Sequence, residues 1–292
     1  MVSIIEVTDK AQLRRFVDYP NELYKDVPQF VPATYGDDLS DWDRSKNPAF
    51  EYCDARCWLA MRDGEIVGRI GAIHSRKAND KWGANRLRFT QVDFIDDPEV
   101  SSALFRTVEA WAKELDCTAV HGPLGFTDMD PEGMLTHGFD QLGTMATIYN
   151  YPYYPKHFEA MEGYTVDNTY VEYKIFVPEH VPEKMSKIAQ MIQKRYGLRV
   201  KKLTKKEIFE EGYGYKIFEL INTTYSHLYG YSPLTDKQIE QYINMYFPLA
   251  DLGLITLIED SKANNKLVGV GITIPSLSKA LQKCRRGRLL PF

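Results

Sequence analysis

The chain has 292 residues, of which 44% are hydrophobic and 26% charged, a balance typical of a folded globular protein. Its net charge of -4 shows no basic excess, so we expect no nucleic-acid partner. No apolar run approaches the ~20 residues that a membrane-spanning helix needs. The short stretch from Met1 to Val7 does not resemble a signal peptide, and we therefore expect a cytoplasmic protein without a membrane partner.

The four cysteines show no pattern of metal ligands. Only Cys53 and Cys57 lie close together in the sequence, and no histidine is near them, whereas zinc sites need Cys and His at short spacings. The sequence therefore predicts reduced, packed thiols and no metal site.

The first elements in chain order are a strand, a helix and a hairpin. Alternation over residues 3–7 predicts the strand, and Thr8-Asp9-Lys10 predicts the start of the helix. Residues 57–73 predict a β-hairpin, because two apolar runs flank Asp63-Gly64, a pair that favours the positive φ angles of a two-residue turn. A further strand is predicted over residues 88–95.

The clearest helix follows this strand. Asp97 is a good N-cap, a proline follows it, and apolar residues then recur every three or four positions. A strand is predicted over 118–124, whereas the glycine-rich stretch 125–150 has no periodicity, which is typical of functional loops. A short helix over 155–161 and a strand over 169–177 complete the first half.

The second half repeats this opening. A helix begins at Pro182 and ends at Gly197, a strand follows over 198–203, and Thr204 starts the next helical stretch with a capping box. A second hairpin, turned at two asparagines, is predicted over 252–274.

Two landmarks recur in the same order in the two halves. The junction between the first strand and the first helix, Val7-Thr8-Asp9-Lys10, corresponds to Leu203-Thr204-Lys205-Lys206. On the return strand of the hairpin, Val67-Gly68 corresponds to Val268-Gly269. Similar offsets between these landmarks indicate two copies of one unit.

If the unit is duplicated, its two copies share strand order and hairpin placement. The first copy continues after its hairpin with strands and helices, whereas little of the chain follows the second hairpin. We therefore predict a first domain at 1–178 and a second at 179–292 that contains only the N-terminal part of the unit.

These motifs resemble those of the GNAT acyltransferase superfamily. The order of elements is the same, the hairpin sequence Asp63-Gly64-x-x-Val67-Gly68 is a usual form there, and Tyr153-Tyr154 resembles its late tyrosine-bearing helix. Asn47-Pro48-Ala49-Phe50 resembles a segment of an uncharacterised bacterial group of tandem GNAT-like proteins. The resemblance implies an α/β fold with a mixed sheet, an incomplete second copy, acetyl-CoA or another acyl-CoA as cofactor, and a small-molecule amine as acceptor.

One segment departs from the pattern of the superfamily. Active GNAT domains hold the acyl-CoA pyrophosphate on a glycine-containing loop before the main helix. The corresponding residues 96–101 read Asp-Asp-Pro-Glu-Val-Ser, with no glycine and with three carboxylates where phosphates would lie. Because like charges repel each other, we expect these acids to cap the helix and the chain to bind acetyl-CoA weakly or not at all.

The stretch 125–154 is the predicted pocket, because α/β sheets tend to bind ligands beyond the ends of their strands. The candidates are Tyr154 and Tyr153 for catalysis and Asp130, Asn150 and His137 for ligand binding. The resemblance implies a general-acid tyrosine at the position that Glu159 occupies in this chain. The usual acid is thus missing, and Tyr153 or Tyr154 would have to act in its place. The alternative is that both tyrosines only pack in the core. We also expect the second unit to help close this pocket.

The leading functional hypothesis is a GNAT-type N-acyltransferase with an unknown amine acceptor. The alternative is a non-catalytic ligand-binding or scaffold protein that keeps the fold and has lost its CoA site. A basic run that includes Lys279, Arg286 and Arg288 is interpreted as a solvated connector. An incomplete second sheet leaves an unpaired edge, so a homo-oligomer formed through the second domain is expected.

Overall fold

The computed structural model describes residues 1–248 and 250–288. Contacts divide the chain into two compact units. The first consists of Met1–Thr169 and the stretch that begins at Ser276, and the second of Tyr170–Pro275. The predicted second domain, 179–292, includes that last stretch, whereas its contacts lie in the first unit. The domain boundary itself stays a prediction.

The first unit follows the predicted order of strands and helices. Its strands are β1 (Ser3–Glu6), β2 (Cys53–Arg62), β3 (Glu65–Ser75), β4 (Arg86–Phe94) and β5 (Ala119–His121). Its helices up to residue 169 are α1 (Lys10–Leu23), α2 (Tyr35–Asp41), α3 (Arg76–Trp82), α4 (Pro98–Glu114) and α5 (Tyr154–Ala160).

These strands form one mixed sheet. Their order is β1-β2-β3-β4-β5, and neighbours are antiparallel except for the parallel pair β4–β5. Helix α4 connects the two parallel strands, since a parallel pair requires a crossover connection. The predicted α/β fold with a mixed sheet is therefore confirmed.

The predicted start and turn signals are confirmed locally. The Asp9 carboxylate accepts a hydrogen bond from the backbone N of Gln12 at 2.8 Å, and the Gln12 side chain accepts one from the backbone N of Asp9 at 3.2 Å. Asp97 caps α4 by accepting a hydrogen bond from the backbone N of Glu99 at 2.8 Å. The turn Asp63-Gly64 has φ angles of 52° and 87°, which a two-residue hairpin turn requires.

Alternation along β2 buries side chains on both faces of the sheet. Trp58 and Ala60 belong to the core cluster that contains Leu104 of helix α4. Cys57 and Leu59 belong to a second cluster, which contains Phe16 of helix α1. Because helices cover both faces, the central strands are apolar along most of their length rather than strictly alternating.

The second unit repeats the first three strands in order. Its elements are α6 (Glu183–Tyr196), β6 (Leu198–Lys201), α7 (Lys205–Phe209), α8 (Tyr213–Thr224), α9 (Asp236–Tyr246), β7 (Ile255–Asp260) and β8 (Lys266–Ile272). The order β6-β7-β8, with antiparallel neighbours, matches β1-β2-β3. The predicted duplication is thus confirmed in strand order and direction. A further helix, α10 (Ser278–Lys283), belongs to the first unit.

The interpretation of the basic run as a solvated connector is wrong for two of its residues. Arg286 lies 3.0 Å from Asp18 and 2.7 Å from Glu22, both on helix α1. The Arg288 guanidinium also pairs with Asp18 at 3.2 Å and lies 3.8 Å from the centroid of the Tyr35 ring. Opposite charge and an aromatic face, neither of which the local sequence contains, attach this stretch to the first unit.

The prediction of a strand over residues 169–177 is also wrong. These residues form no strand, and Tyr173 and Phe176 are 80% and 83% exposed. A strand obtains its hydrogen bonds from a neighbouring strand, which an alternating sequence cannot supply by itself. Within the described residues β8 is an edge strand. Self-association through the second unit, and its part in closing a pocket, stay predictions.

Candidate functional site

The first unit contains a cavity of about 170 Å³ beside strand β4. It is bordered by α1, by the chain that follows α1, by β4 and by the glycine-rich stretch after β5. Apolar side chains make up much of its lining, among them Val17, Phe30, Val31, Met134, Met145 and Ile148. A smaller number of polar groups face the same space, which is the usual composition of a small-molecule site.

Strand β4 is irregular where it borders the cavity. Its pairing with β3 shifts register between Arg69 and Gly71, and Gln91 in this region has a φ of 42°. A positive φ is uncommon for a residue with a side chain. The indole Nε1 of Trp42 donates a hydrogen bond to the Gln91 side-chain oxygen at 3.0 Å and so supports this conformation. Bulges of this kind often occur beside functional sites, where they redirect the chain.

A buried ion pair lies in the cavity wall. Arg69 Nε donates to Asp93 Oδ2 at 2.6 Å, and the two side chains are only 7% and 9% exposed. Arg69 also donates to the backbone oxygen of Phe16 at 2.9 Å and lies 4.9 Å from the centroid of its ring. A buried pair requires such additional partners, because each charge has lost its hydration.

Two tyrosine hydroxyls continue this network. The Tyr24 hydroxyl donates to Asp93 Oδ1 at 2.8 Å and lies 2.9 Å from the Tyr154 hydroxyl. The backbone N of Phe94 donates to the Tyr154 oxygen at 2.9 Å. Burial, with a further contribution from the Asp93 carboxylate, raises the pKa of both tyrosines well above its ordinary value. Both side chains are therefore neutral phenols at neutral pH.

The two candidate catalytic tyrosines lie in different surroundings. Tyr154 lines the cavity, is 1% exposed and stacks on Phe94 with ring centroids 4.2 Å apart. Tyr153 is not among the lining residues, and its hydroxyl donates to the backbone oxygen of Phe94. The alternative of core packing therefore describes Tyr153, whereas Tyr154 both packs in the core and borders the cavity. A catalytic role for either stays a prediction.

Two of the three candidate ligand-binding residues line the cavity. Asp130 does so, and its carboxylate accepts a hydrogen bond from the backbone N of Thr127 at 3.0 Å. Asn150 also does so, but its side chain is bonded to the backbone N and O of Leu135 at 2.7 and 3.0 Å, which fixes the loop. His137 is exposed and lies outside the lining. Ligand binding by these residues stays a prediction.

Carboxyl groups beside the cavity are held away from their ordinary pKa. Burial raises the pKa of Asp38 to about 6, against an opposing effect of Arg69. Burial likewise raises the pKa of Asp41 and of Asp130. Neighbouring charges reinforce this rise for Asp41, whereas hydrogen bonds and a neighbouring positive charge oppose it for Asp130. Asp38 and Asp130 both line the cavity. The surroundings of the cavity thus contain several buried carboxyl groups, and the guanidinium groups that act on Asp38 and Asp130 belong to Arg69 and Arg88.

Comparison with known proteins finds sequences that are similar to this one over nearly its whole length. The chain is 25% identical over 285 residues to Protein YghO of Escherichia coli (strain K12), which covers 97% of this chain and 70% of that protein. It is 26% identical over 295 residues to the bacterial ceramide synthase of Caulobacter vibrioides (strain NA1000 / CB15N), which covers 100% of this chain and 74% of that protein. No family model matches the chain.

Among solved structures, the chain is similar to a tandem GNAT protein from the clavulanic acid biosynthesis pathway, at 14% identity and a TM-score of 0.48. The similarity covers 94% of this chain and 76% of that one. In this chain three antiparallel strands precede a parallel pair joined by α4, and the first three strands recur in the second unit. This is the order that the sequence resemblance implies. The chain has a GNAT-like fold.

Acidic side chains surround the start of α4, which is where active GNAT domains hold a pyrophosphate. Arg62 lies 2.7 Å from Asp97 and 2.9 Å from Glu99. The His157 Nε2 lies 2.9 Å from Asp96 Oδ1. The prediction that these acids cap the helix is confirmed for Asp97, which accepts a hydrogen bond from the backbone N of Glu99, whereas Asp96 and Glu99 contact other side chains. Weak binding of acetyl-CoA at this position stays a prediction.

Sequence reasoning missed Tyr24 and the Arg69–Asp93 pair. A signal for the pair was available, because an arginine and an aspartate occur inside two predicted strands, and buried charges need partners. Nothing in the sequence around Tyr24 distinguishes it from the other tyrosines. Only the packing of α1 against the sheet brings its hydroxyl to Asp93.

The described part of the chain shows neither a group of three or more His, Cys, Asp or Glu side chains suited to a metal ion nor a helix suited to crossing a membrane. The four cysteines are free, and two of them, Cys53 and Cys57, are buried. Burial raises the pKa of these two thiols to about 11 and about 12, so both are protonated and unreactive at neutral pH.

Proposed function

We propose that the chain is an N-acyltransferase that joins an acyl group from an acyl-CoA to an amine, and that the cavity receives the amine. The observation that carries the proposal is the convergence on one cavity of the β4 bulge, the tyrosine pair and the carboxyl groups in a GNAT-like fold. The similarity to a protein named as a bacterial ceramide synthase supports it. Ceramide is an amide of a fatty acid and a long-chain amino alcohol, so its synthesis is an amide-forming reaction.

In such a reaction the amine nitrogen attacks the thioester carbonyl. A C–N bond forms, the C–S bond breaks, and the nitrogen loses a proton. The acyl donor supplies the activated carbonyl group. The residues of this chain supply what the acceptor needs, namely an apolar wall for its hydrocarbon part, carboxyl groups to offset its charge and hydrogen-bonding groups to orient its nitrogen.

The donor cannot be held at the start of α4 in the way usual for GNAT enzymes, because Asp97 already accepts a backbone hydrogen bond there and Pro98 has no N–H. We therefore expect weak binding of acetyl-CoA. Calorimetry of the chain with acetyl-CoA tests this expectation. Micromolar binding that is lost on Asp97→Ala substitution would contradict it.

A second candidate function is ligand binding without catalysis. The occupied start of α4 favours this alternative, because a chain that has lost its donor site could still bind an amine in the cavity. It differs from the first proposal in one measurable respect, since it predicts amine binding without amide formation.

Incubation of the purified chain with palmitoyl-CoA and a panel of alkyl amines, followed by mass spectrometry of the products, separates the two functions. We expect an amide product, and about tenfold less of it with Tyr154→Phe, since the lost hydroxyl leaves the Tyr24 oxygen and the backbone N of Phe94 without a hydrogen-bond partner in the cavity wall. Tyr173→Phe, whose side chain is 80% exposed in the second unit, is the matched control. Amine binding without any amide would contradict the enzyme and support the binding protein.

A further inference from the structure

The directions of the hydrogen bonds in the tyrosine pair follow from their partners. An ionised carboxylate only accepts, so Tyr24 donates its single hydroxyl hydrogen to Asp93 Oδ1, 2.8 Å away. Tyr154 is therefore the donor in the 2.9 Å contact between the two hydroxyls. The hydrogen bonds thus run in one direction, from the backbone N of Phe94 through Tyr154 and Tyr24 to Asp93.

This arrangement leaves Tyr24 able to accept one more hydrogen bond. A phenol oxygen has two lone pairs, and Tyr154 uses one of those of Tyr24. Tyr24 lines the cavity, and so do Asp93 and Tyr154, the two residues bonded to its hydroxyl. The Tyr24 oxygen thus belongs to a cavity-lining residue and can accept a hydrogen bond, whereas its own hydrogen is already committed to Asp93.

The remainder of the cavity lining indicates what kind of donor it suits. Phe30, Val31, Met145 and Ile148 offer hydrocarbon surface, and methionine adapts well to flexible chains. Burial disfavours the ionised forms of Asp38 and Asp130, and a cation beside them would favour those forms again, so this part of the lining suits a cation better than an anion. An alkyl amine combines an apolar chain, a positive charge and N–H donors.

We infer that Tyr24 accepts a hydrogen bond from the nitrogen of an alkyl amine bound in the cavity and, during acyl transfer, takes that hydrogen while it passes its own to Asp93. The recognition of the N–H group stands by itself, whereas the transfer step rests on the proposed function. The bound ammonium ion first loses one proton to solvent, because a nitrogen without a lone pair cannot attack. In the transfer step the uncharged nitrogen bonds to the acyl carbon as one proton moves from nitrogen to the Tyr24 oxygen. A second proton moves from Tyr24 to Asp93 Oδ1, and the C–S bond breaks with its electron pair on sulfur.

Calorimetry with two probes of equal charge tests the recognition. Octylamine carries N–H donors, and N,N,N-trimethyloctylammonium has the same charge and chain but none. We expect the native chain to prefer octylamine by about tenfold, the effect of one hydrogen bond from a charged donor. Tyr24→Phe should reduce this preference to within about twofold, whereas Tyr154→Phe should retain it, because Tyr154 donates to Tyr24 and not to the ligand.

Tyr151→Phe is the matched control, since the Tyr151 hydroxyl donates to the backbone oxygen of Leu23 outside this network. If Tyr24→Phe keeps the full preference for octylamine, a carboxylate receives the N–H group and the inference is wrong. Failure of the native chain to prefer octylamine would also overturn it. Circular dichroism of each variant confirms that the fold is retained. If Tyr24→Phe does not fold, Tyr24→Met replaces it, because this adaptable side chain also lacks the hydroxyl and should lower the preference as well.

The transfer step is tested by turnover with palmitoyl-CoA and octylamine. We expect Tyr24→Phe to lower kcat at least tenfold at saturating amine, beyond its effect on KM. An unchanged kcat would overturn the transfer step and leave the proposed function intact. No amide from the native chain would overturn the proposed function together with the transfer step, while the calorimetric preference would still decide the recognition.

Discussion

Removing one member of the Arg69–Asp93 pair should destabilise the first unit strongly. Arg69→Met keeps most of the length of the side chain but leaves the Asp93 carboxylate, which is 9% exposed, without its cation. Breaking a buried pair in this way costs about 3–5 kcal/mol, because the remaining charge is buried and unpaired. Loss of the guanidinium from the Phe16 ring adds about 0.5–1 kcal/mol. The sum is a large part of the ~5–15 kcal/mol that stabilises a typical domain.

The double variant Arg69→Met/Asp93→Asn removes both charges and tests this reasoning. We expect it to be more stable than the sum of the two single changes by about 2 kcal/mol, a coupling typical of residues in direct contact. Urea denaturation followed by tryptophan fluorescence reports on the first unit alone, because it contains all four tryptophans, Trp42, Trp58, Trp82 and Trp111. Additive costs, or a loss below about 1 kcal/mol for Arg69→Met, would refute the assignment of a coupled buried pair.

Three further predictions concern stability. Gly125→Ala should lower the free energy of unfolding by about 1–3 kcal/mol, because its added Cβ would overlap the Asp130 side chain. The control Gly36→Ala, with nothing within 4 Å of the added Cβ, should be neutral or stabilising in the same urea titration, and equal losses in both would contradict the packing argument. Burial, reinforced by nearby guanidinium groups, lowers the pKa of His121 from 6.5 to about 4. The unfolded chain then takes up a proton that the folded chain does not, so the free energy of unfolding should fall by up to ~3 kcal/mol as the pH drops from about 6.5 to about 4. His121→Gln should reduce that pH dependence in unfolding experiments at several pH values, and an identical pH profile would show that another group is responsible. Asp9→Ala removes the capping box of α1 and should cost about 1 kcal/mol, measured as a lower urea midpoint, and an unchanged midpoint would mean that the cap contributes nothing.

The local elements could be predicted from the sequence because their causes lie within a few residues. Asp9 and Asp97 start helices because their side chains reach backbone N–H groups two or three positions along the chain. Asp63-Gly64 turns the first hairpin because both residues accept a positive φ. The duplication was visible for the same reason, since each copy contains its own strand, helix and hairpin signals.

The prediction failed where a strand depended on a neighbour. Residues 169–177 alternate as a strand should, yet they form none, because backbone N–H and C=O groups in a strand must pair with another strand. The interpretation of Arg286 and Arg288 as part of a solvated connector is wrong for a related reason, because their partners lie on α1, near the other end of the sequence.

The cavity and its polar wall were decided by the tertiary structure. Stretch 125–154 was recognised as the pocket-forming segment, and Asp130 and Tyr154 do border the cavity. The group that meets Tyr154 there is Tyr24, which is 130 residues away, and both depend on the ion pair that β3 and β4 bring together. A cavity is the space left between packed elements, and its wall is set by how far apart those elements lie. That distance cannot be read from any single segment of the sequence, so only the tertiary structure determines which side chains meet.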